Sequence, residues 1–300
     1  MTIQEILEDS LQNKERLSDA LKGKFVKRLG GYFRCSPDEK GFFAHLVWQP
    51  ANIVFMNCAC KFYETLLRHQ EGQQFLKSDR RGKVFEEIAK ELTVAIKHVE
   101  SQSNEGMPAA PKSQVFDRDT THRHMTREYF AILGRMWCSK AGESLLDETL
   151  GLKIYDLFMS LAKHQPLDYL SRIVLSNLDY NNSKPQMLLQ SYIENSPSVT
   201  LRLHAIQVLR TIVRSRVDDF QWGIEILVTR LQFQDAEVNE VVLSVLNEAA
   251  AYKPYLKEII KKRPPFIPHP LADSLFEKFA SVNEGIEFLT TQNKKWFEKR

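Results

Sequence analysis

The sequence predicts an all-α fold, an armadillo/HEAT-like helical-repeat solenoid, and three observations carry that prediction. Three widely separated stretches share one apolar skeleton with a glycine. They are Phe62, Tyr63, Leu66, Leu67, Gly72, Phe75, Leu76; then Ile132, Leu133, Met136, Trp137, Gly142, Leu145, Leu146; then Leu275, Phe276, Phe279, Ala280, Gly285, Phe288, Leu289. Apolar pairs four residues apart place one buried stripe on a helix, and the second apolar pair starts another helix. Two further stretches repeat at an offset of 37 residues: Ala205, Ile206, Val208, Leu209, Ile212 against Val242, Leu243, Val245, Leu246, Ala249. Nothing in the chain alternates with the period of a strand. A helix–turn–helix unit used repeatedly is how neighbouring helices bury each other's apolar faces in a stacked solenoid. Gly72, Gly142 and Gly285 are expected near helix C-termini, where positive φ costs glycine little.

The elements follow in order. Residues 3–28 read as an amphipathic helix, broken or not, with Ile3, Ile6, Leu7 and Leu11 on one side. Gly30, Gly31 and Pro37 punctuate its exit, and Pro50 stands where a first helical turn tolerates proline. A helix over about 51–69 follows, then a long one from Asp79 to Glu100 with Val84, Phe85, Ile88, Ala89, Leu92, Ala95, Ile96 and Val99 as its stripe. Residues 101–121 change character, with Gly106, Pro108 and Pro111 and little periodicity, and read as a flexible loop. Helical patterning returns at Glu128. Helices near 167–178 and 185–194 are parted by Asn181, Asn182 and Ser183, and Phe220, Ile224, Leu227 and Leu231 mark the helix between the two offset repeats. The organisation is therefore an N-terminal amphipathic helix at 1–29, a first helical-repeat segment at 30–100, the loop at 101–121 and a second helical-repeat segment at 122–300.

The totals bound the function. With 300 residues, 43% of them hydrophobic, the chain buries a substantial core. Forty-one basic against thirty-eight acidic residues leave +3, which is no polyanion-binding composition and excludes a nucleic-acid partner. Four cysteines, Cys35, Cys58, Cys60 and Cys138, are few for the length. Cys58 and Cys60, two apart on a helix, point in different directions, which suits neither a disulfide nor a shared zinc. Reduced thiols, the absence of a secretory signal in Met1–Glu5 and the lack of an apolar run of about 20 residues place the chain in the cytoplasm with no transmembrane segment.

No constellation reads as catalytic, and the expected cofactor and metal complement is none. His122 and His124 beside Asp117 and Asp119 sit where a loop enters a helix, a poor frame for aiming two imidazoles at one ion. There is no G-x-G-x-x-G, no phosphate loop and no G-x-S-x-G elbow. Glu86 and Glu87 read as a solvated helical face. Two basic clusters remain. Arg80, Arg81 and Lys83 open a helix, where the dipole favours a bound anion, and are the candidate contact for an anion or an acidic partner segment. Lys261, Lys262 and Arg263 end a helix before Pro264 and Pro265, where cations meet the terminal carbonyls. Trp296 and Phe297 are the candidate C-terminal association surface.

The stretches that carry the periodicity also carry a resemblance. RDTTHRHMTREYFAILGRMWCSKAGESLLD (118–147), DYLSRIVLSNLDYN (168–181), LRLHAIQVLRTIVRS (201–215) and QWGIEILVTRLQFQDAEVNEVVLSVLNEA (221–249) resemble the middle region of the Rictor/pianissimo family, and residues 41–76 resemble the segment before it. The combination of Leu133 and Gly134, Gly142, Leu178 to Tyr180 and Trp222 to Glu225 makes the likeness specific. It implies a non-catalytic scaffold subunit of target-of-rapamycin (TOR) complex 2, with the TOR kinase and the other subunits of that complex as partners. Part of the region is similar to the N-terminal helical module of Ras exchange factors, which makes a small GTPase the alternative partner, and an unrelated armadillo-type adaptor is the third reading. Family members are longer, so the chain is expected to be a fragment or a reduced version, and no binding residue is carried over.

Overall fold

The computed structural model describes residues 3–8, 11, 13–35, 41–78, 83–103, 108–150, 153–215, 221–233 and 235–292. Among them every regular element is a helix, and the sole β feature is an isolated antiparallel bridge between Val47 and His124. The chain divides into two compact units, Met1–Pro185 and Gln186–Arg300.

The first unit contains α1 (Ile3–Glu8), α2 (Lys14–Lys22), α3 (Lys24–Tyr32), α4 (Phe42–His45), α5 (Ile53–Leu67), α6 (Gln70–Ser78), α7 (Val84–Ser103), α8 (Arg118–Arg123), α9 (Tyr129–Trp137), α10 (Lys140–Leu150), α11 (Ile154–Ala162) and α12 (Asp168–Ser176). They pack in two layers. In one, α5 lies between α1 and α9, and α9 continues onto α12; in the other, α6 lies between α2 and α10, and α10 continues onto α11. The long helix α7 packs on α10 and buries Val84, Phe85, Ile88, Leu92, Ala95 and Val99, the stripe read from the sequence. Each fully buried large apolar side chain of this kind contributes roughly 1.5–3 kcal/mol.

The amphipathic stretch over residues 3–28 forms three helices, the broken form of that reading. Asn13 caps α2 by accepting from the N–H groups of Glu15 and Arg16, and Gly23, in extended conformation, separates α2 from α3. A side-chain cap inside an amphipathic run offers the backbone an alternative to continuous helix. Gly30 and Gly31 lie in the last turn of α3 rather than beyond it. Within the stretch 101–121, α7 runs to Ser103, α8 begins at Arg118, and Ser113, Val115 and Phe116 between them are buried.

α13 (Ser183–Asn195) spans the division between the units. The second unit continues with α14 (Val199–Ser215), α15 (Gln221–Arg230), α16 (Ala236–Ala249), α17 (Lys253–Lys261), α18 (Pro270–Phe279) and α19 (Asn283–Gln292). Here α14, α16 and α18 stack in one layer, and α15, α17 and α19 in the other, as helical repeats do. The sequence repeat at an offset of 37 residues is the pair α14 and α16, whose Ala205, Ile206 and Leu209, and Val242, Val245 and Leu246, are wholly buried. Ion pairs tie like to like along each layer. Glu248 of α16 receives Arg210 and Arg214 of α14, Lys262 reaches Glu225 of α15 at 2.6 Å, and Lys257 of α17 reaches Glu284 of α19 at 3.1 Å. Arg263 takes the left-handed C′ position after α17 with φ of 51°, a place glycine usually fills.

The three repeated glycines correct the sequence expectation. Gly72, Gly142 and Gly285 stand in the first turn of α6, α10 and α19, not at the end of the preceding helix. The reason is the tightness of the turn. The N–H groups of His69, Ser139 and Val282 bond to the carbonyls of Leu66, Met136 and Phe279 at 3.4, 3.2 and 3.1 Å. Each of those carbonyls then faces the glycine six residues on, where a Cβ would overlap the oxygen and lie 2.8, 2.8 and 2.7 Å from the carbonyl carbon. The repeat is real, and close backbone approach, not positive φ, is what selects glycine.

Candidate docking face

Two adjacent pairs of aromatic residues build an exposed apolar surface on the first unit. Phe33 and Phe43 point inward, 1% and 0% exposed, with ring centroids 5.5 Å apart. Their neighbours Tyr32 and Phe42 are thereby turned outward and stack on each other, centroids 6.1 Å apart with planes at 13°. Phe55, in the first turn of α5, also lies 6.1 Å from Tyr32, its ring tilted at 39°. Phe42 is 63% exposed, Val54 52% and Phe55 37%, and Val47 nearby in sequence is 60% exposed.

A rigid frame holds this surface. Glu87 on α7 accepts from the Arg34 guanidinium, with Nε at 2.7 Å, and from the Cys35 N–H at 2.9 Å. Both charged side chains are nearly buried, so the pair is a fixed strut rather than a surface bridge. The sequence reading of Glu86 and Glu87 as a solvated face is corrected for Glu87, because the stretch after α3 brings a cation back onto α7. One turn on, Glu91 accepts from the Ser113 hydroxyl at 2.7 Å. Tyr129 of α9 donates to the Arg34 carbonyl at 2.8 Å, and burial raises its phenol well above the ordinary range. The approach to α5 is pinned as well. The Trp48 N–H bonds the Arg123 carbonyl and the Met125 N–H bonds the Leu46 carbonyl, both at 2.8 Å. The Trp48 indole donates to Glu128 at 2.8 Å with the Arg127 guanidinium 5.0 Å over its ring, and the Asn52 amide closes onto the Val47 carbonyl.

An open groove of about 600 Å³ borders α5, lined by Asn57, Lys61 and Glu64 on α5, Gly134 and Arg135 on α9, and Asp179 beyond α12. A Cβ at Gly134 would overlap the Asn177 carbonyl, so this glycine lets α9 and the end of α12 meet. Asp179 organises the turn after α12 by accepting from Asn181 and Asn182, and Tyr180 donates back to the Leu175 carbonyl at 2.7 Å. These contacts give the Leu133–Gly134 and Leu178–Tyr180 motifs a structural role.

Of the candidate residues singled out in the sequence, Arg80, Arg81, Trp296 and Phe297 lie outside the described residues. Lys83 precedes α7 and pairs with Glu86 at 3.1 Å. Asp117 is the cap of α8, and His122 is exposed. Among the described residues no three His, Cys, Asp or Glu side chains converge as metal ligands. All four cysteines are free thiols. Burial pushes Cys35 well above the ordinary thiol range and Cys60 up to about 12, which keeps both as inert core groups. No helix among the described residues is long and apolar enough to cross a membrane.

Sequence reasoning missed the aromatic face. Phe55 belongs to the same stripe as Ala59, Phe62 and Tyr63, and periodicity tells which side of a helix is apolar but not where along it the cover ends. The available signal was Val54 beside Phe55, an apolar pair wider than one stripe requires.

Comparison with known proteins agrees with this architecture. Residues 108–213 match the family described as "Rapamycin-insensitive companion of mTOR, middle domain", and residues 218–300 match "Rapamycin-insensitive companion of mTOR RasGEF_N domain". "Protein pianissimo A" of Dictyostelium discoideum is 32% identical over 293 residues, covering 96% of this chain and 25% of that protein. "Rapamycin-insensitive companion of mTOR" is 26% identical over 283 residues in Homo sapiens and over 285 in Mus musculus, in each case covering 92% of this chain and 15% of the relative. The chain thus spans a quarter or less of the length of these relatives. With two consecutive domains of one family and homology along nearly its whole length, the chain belongs to the Rictor/pianissimo family.

Proposed function

We propose that the chain is a non-catalytic scaffold or regulatory element of TOR complex 2, working in the cytoplasm by binding the TOR kinase assembly and its other subunits. The observation that carries this reading is the exposed face of Tyr32, Phe42, Val54 and Phe55 on a rigid helical-repeat frame. Clustered aromatic surface of this kind marks protein interaction sites, whereas scattered exposed apolar residues are ordinary. Membership of a family whose described members are named as companions of mTOR supports that assembly. Phosphoryl transfer then belongs to the kinase, and the chain's part is placement.

Affinity purification of the tagged chain from native lysate tests this. Co-elution of the TOR kinase above a tag-only control is the expected result, with no phosphoryl transfer by the chain alone. Recovery of a small GTPase in place of the kinase, with accelerated nucleotide exchange, would favour the alternative partner.

A further inference from the structure

Among the described residues, α3 and the part of α5 beside the aromatic face carry only cations. Arg28 and Tyr32 are four apart on α3 and share its exposed side, as Val54, Cys58 and Lys61 do on α5. The sequence of α3, KFVKRLGGY, has no acidic residue, and on α5 none precedes Glu64. Glu64 is engaged by Arg135. Among the described residues Lys24, Arg28 and Lys61 make no ion pair.

Gly31 is the second unexplained feature. It lies inside α3, next to Tyr32, and a Cβ there would meet nothing within 4 Å. The repeated glycines are forced by a carbonyl of their own chain; Gly31 is not. Glycine within a helix weakens it relative to alanine, so a glycine with open space above it fits a surface that another backbone approaches closely.

We propose that the face formed by Tyr32, Phe42, Val54 and Phe55, rimmed by Arg28 and Lys61, docks an acidic amphipathic α-helix of a partner protein. The helix's apolar residues at i, i+3/i+4 and i+7 pack on the aromatic rings, its backbone crosses over Gly31, and its carboxylates meet Arg28, Lys24 and Lys61. A strand would need an open sheet edge, and the described residues offer only the isolated bridge at Val47. A second copy of the chain would bring one cationic rim against another. This rests on the reading of the chain as a docking element, and it specifies the chemistry of what docks.

The test places the photo-crosslinker p-benzoylphenylalanine at exposed position 42 of the chain in native cells and maps crosslinked peptides by mass spectrometry. The expected product is one partner segment with helical apolar spacing and several carboxylates. Its yield is expected to fall at least about fivefold in Arg28→Glu/Lys61→Glu and to fall with added salt, as charge-steered contacts do. Circular dichroism and Tm should stay close to wild-type values, since Arg28 is exposed and Lys61 is half-buried with no ion pair. Crosslinks to lipid, to a second copy of the chain or to a segment lacking carboxylates, no crosslink at all, or a yield indifferent to the charge reversal would each overturn the proposal. Kinase co-elution reads the complex and the crosslink reads the segment's chemistry, so failure of one is separable from failure of the other.

Discussion

The α-carbon of Gly142 lies against the backbone carbonyl of Met136, leaving no room for a Cβ between α9 and α10. The same relation holds for Gly72 with Leu66 and Gly285 with Phe279, so one steric device closes three helical hairpins. Gly142→Ala should lower stability by about 2–4 kcal/mol, because backbone rather than a flexible side chain has to give way. Urea unfolding measures it. A loss of less than about 0.5 kcal/mol, the usual scatter for neutral surface changes, would show that the turn relaxes freely.

Gly31 provides the opposite sign. With open space around the position, Gly31→Ala should raise stability by about 0.5–1 kcal/mol. The two glycine substitutions, read in the same denaturation series, separate a glycine required by the fold from one that the fold does not need. A destabilising Gly31→Ala would remove the argument that a partner selects this glycine.

The buried strut between Arg34 and Glu87 should be expensive to break from one side. Glu87→Ala removes the carboxylate that the Arg34 Nε–H and the Cys35 N–H donate to, and a loss of about 1–3 kcal/mol is expected. Thermal unfolding followed by circular dichroism measures it. A variant with wild-type Tm would contradict the strut.

Stability should also depend on pH through Glu248. The hydrogen bond from Arg214, supported by Arg210, outweighs the upward push of burial and holds the Glu248 carboxyl below its ordinary value of 4.5. A depressed folded value contributes stability that is full above the unfolded value and is lost as pH falls through the folded one. Between about pH 6 and about pH 3 the wild-type Tm should therefore fall more steeply than that of Glu248→Gln. Parallel curves would mean that the ion pair between α14 and α16 adds nothing to folding.

Much of this fold is legible in the chain because helical burial repeats at a fixed spacing. Most of the stripe on α7 and of the paired stripes of α14 and α16 is buried as periodicity requires, with Ala89, Ile96, Val208 and Ile212 half-buried at the edges. The glycines were visible as a repeat, but their cause was not, since close approach between a helix start and an earlier carbonyl is set by turn geometry that no single residue type announces. Glu87 was misread because its partner Arg34 is distant in sequence and returns through a non-helical stretch. The aromatic face was hidden for the converse reason. Phe42 beside Phe43 looks like core in the sequence, and only the inward turn of Phe43 leaves Phe42 in solvent.

The central claim is that the chain meets its complex through that face. The measurement that tests it most directly is the amount of TOR kinase recovered per chain from native lysate for wild type and for Phe42→Ser/Phe55→Ser. Both side chains are solvent-exposed, so helix content by circular dichroism should be unchanged. A fall in recovered kinase of about tenfold or more, of the order of losing one interface anchor, is the predicted result. Undiminished recovery with the two aromatics gone would contradict the account.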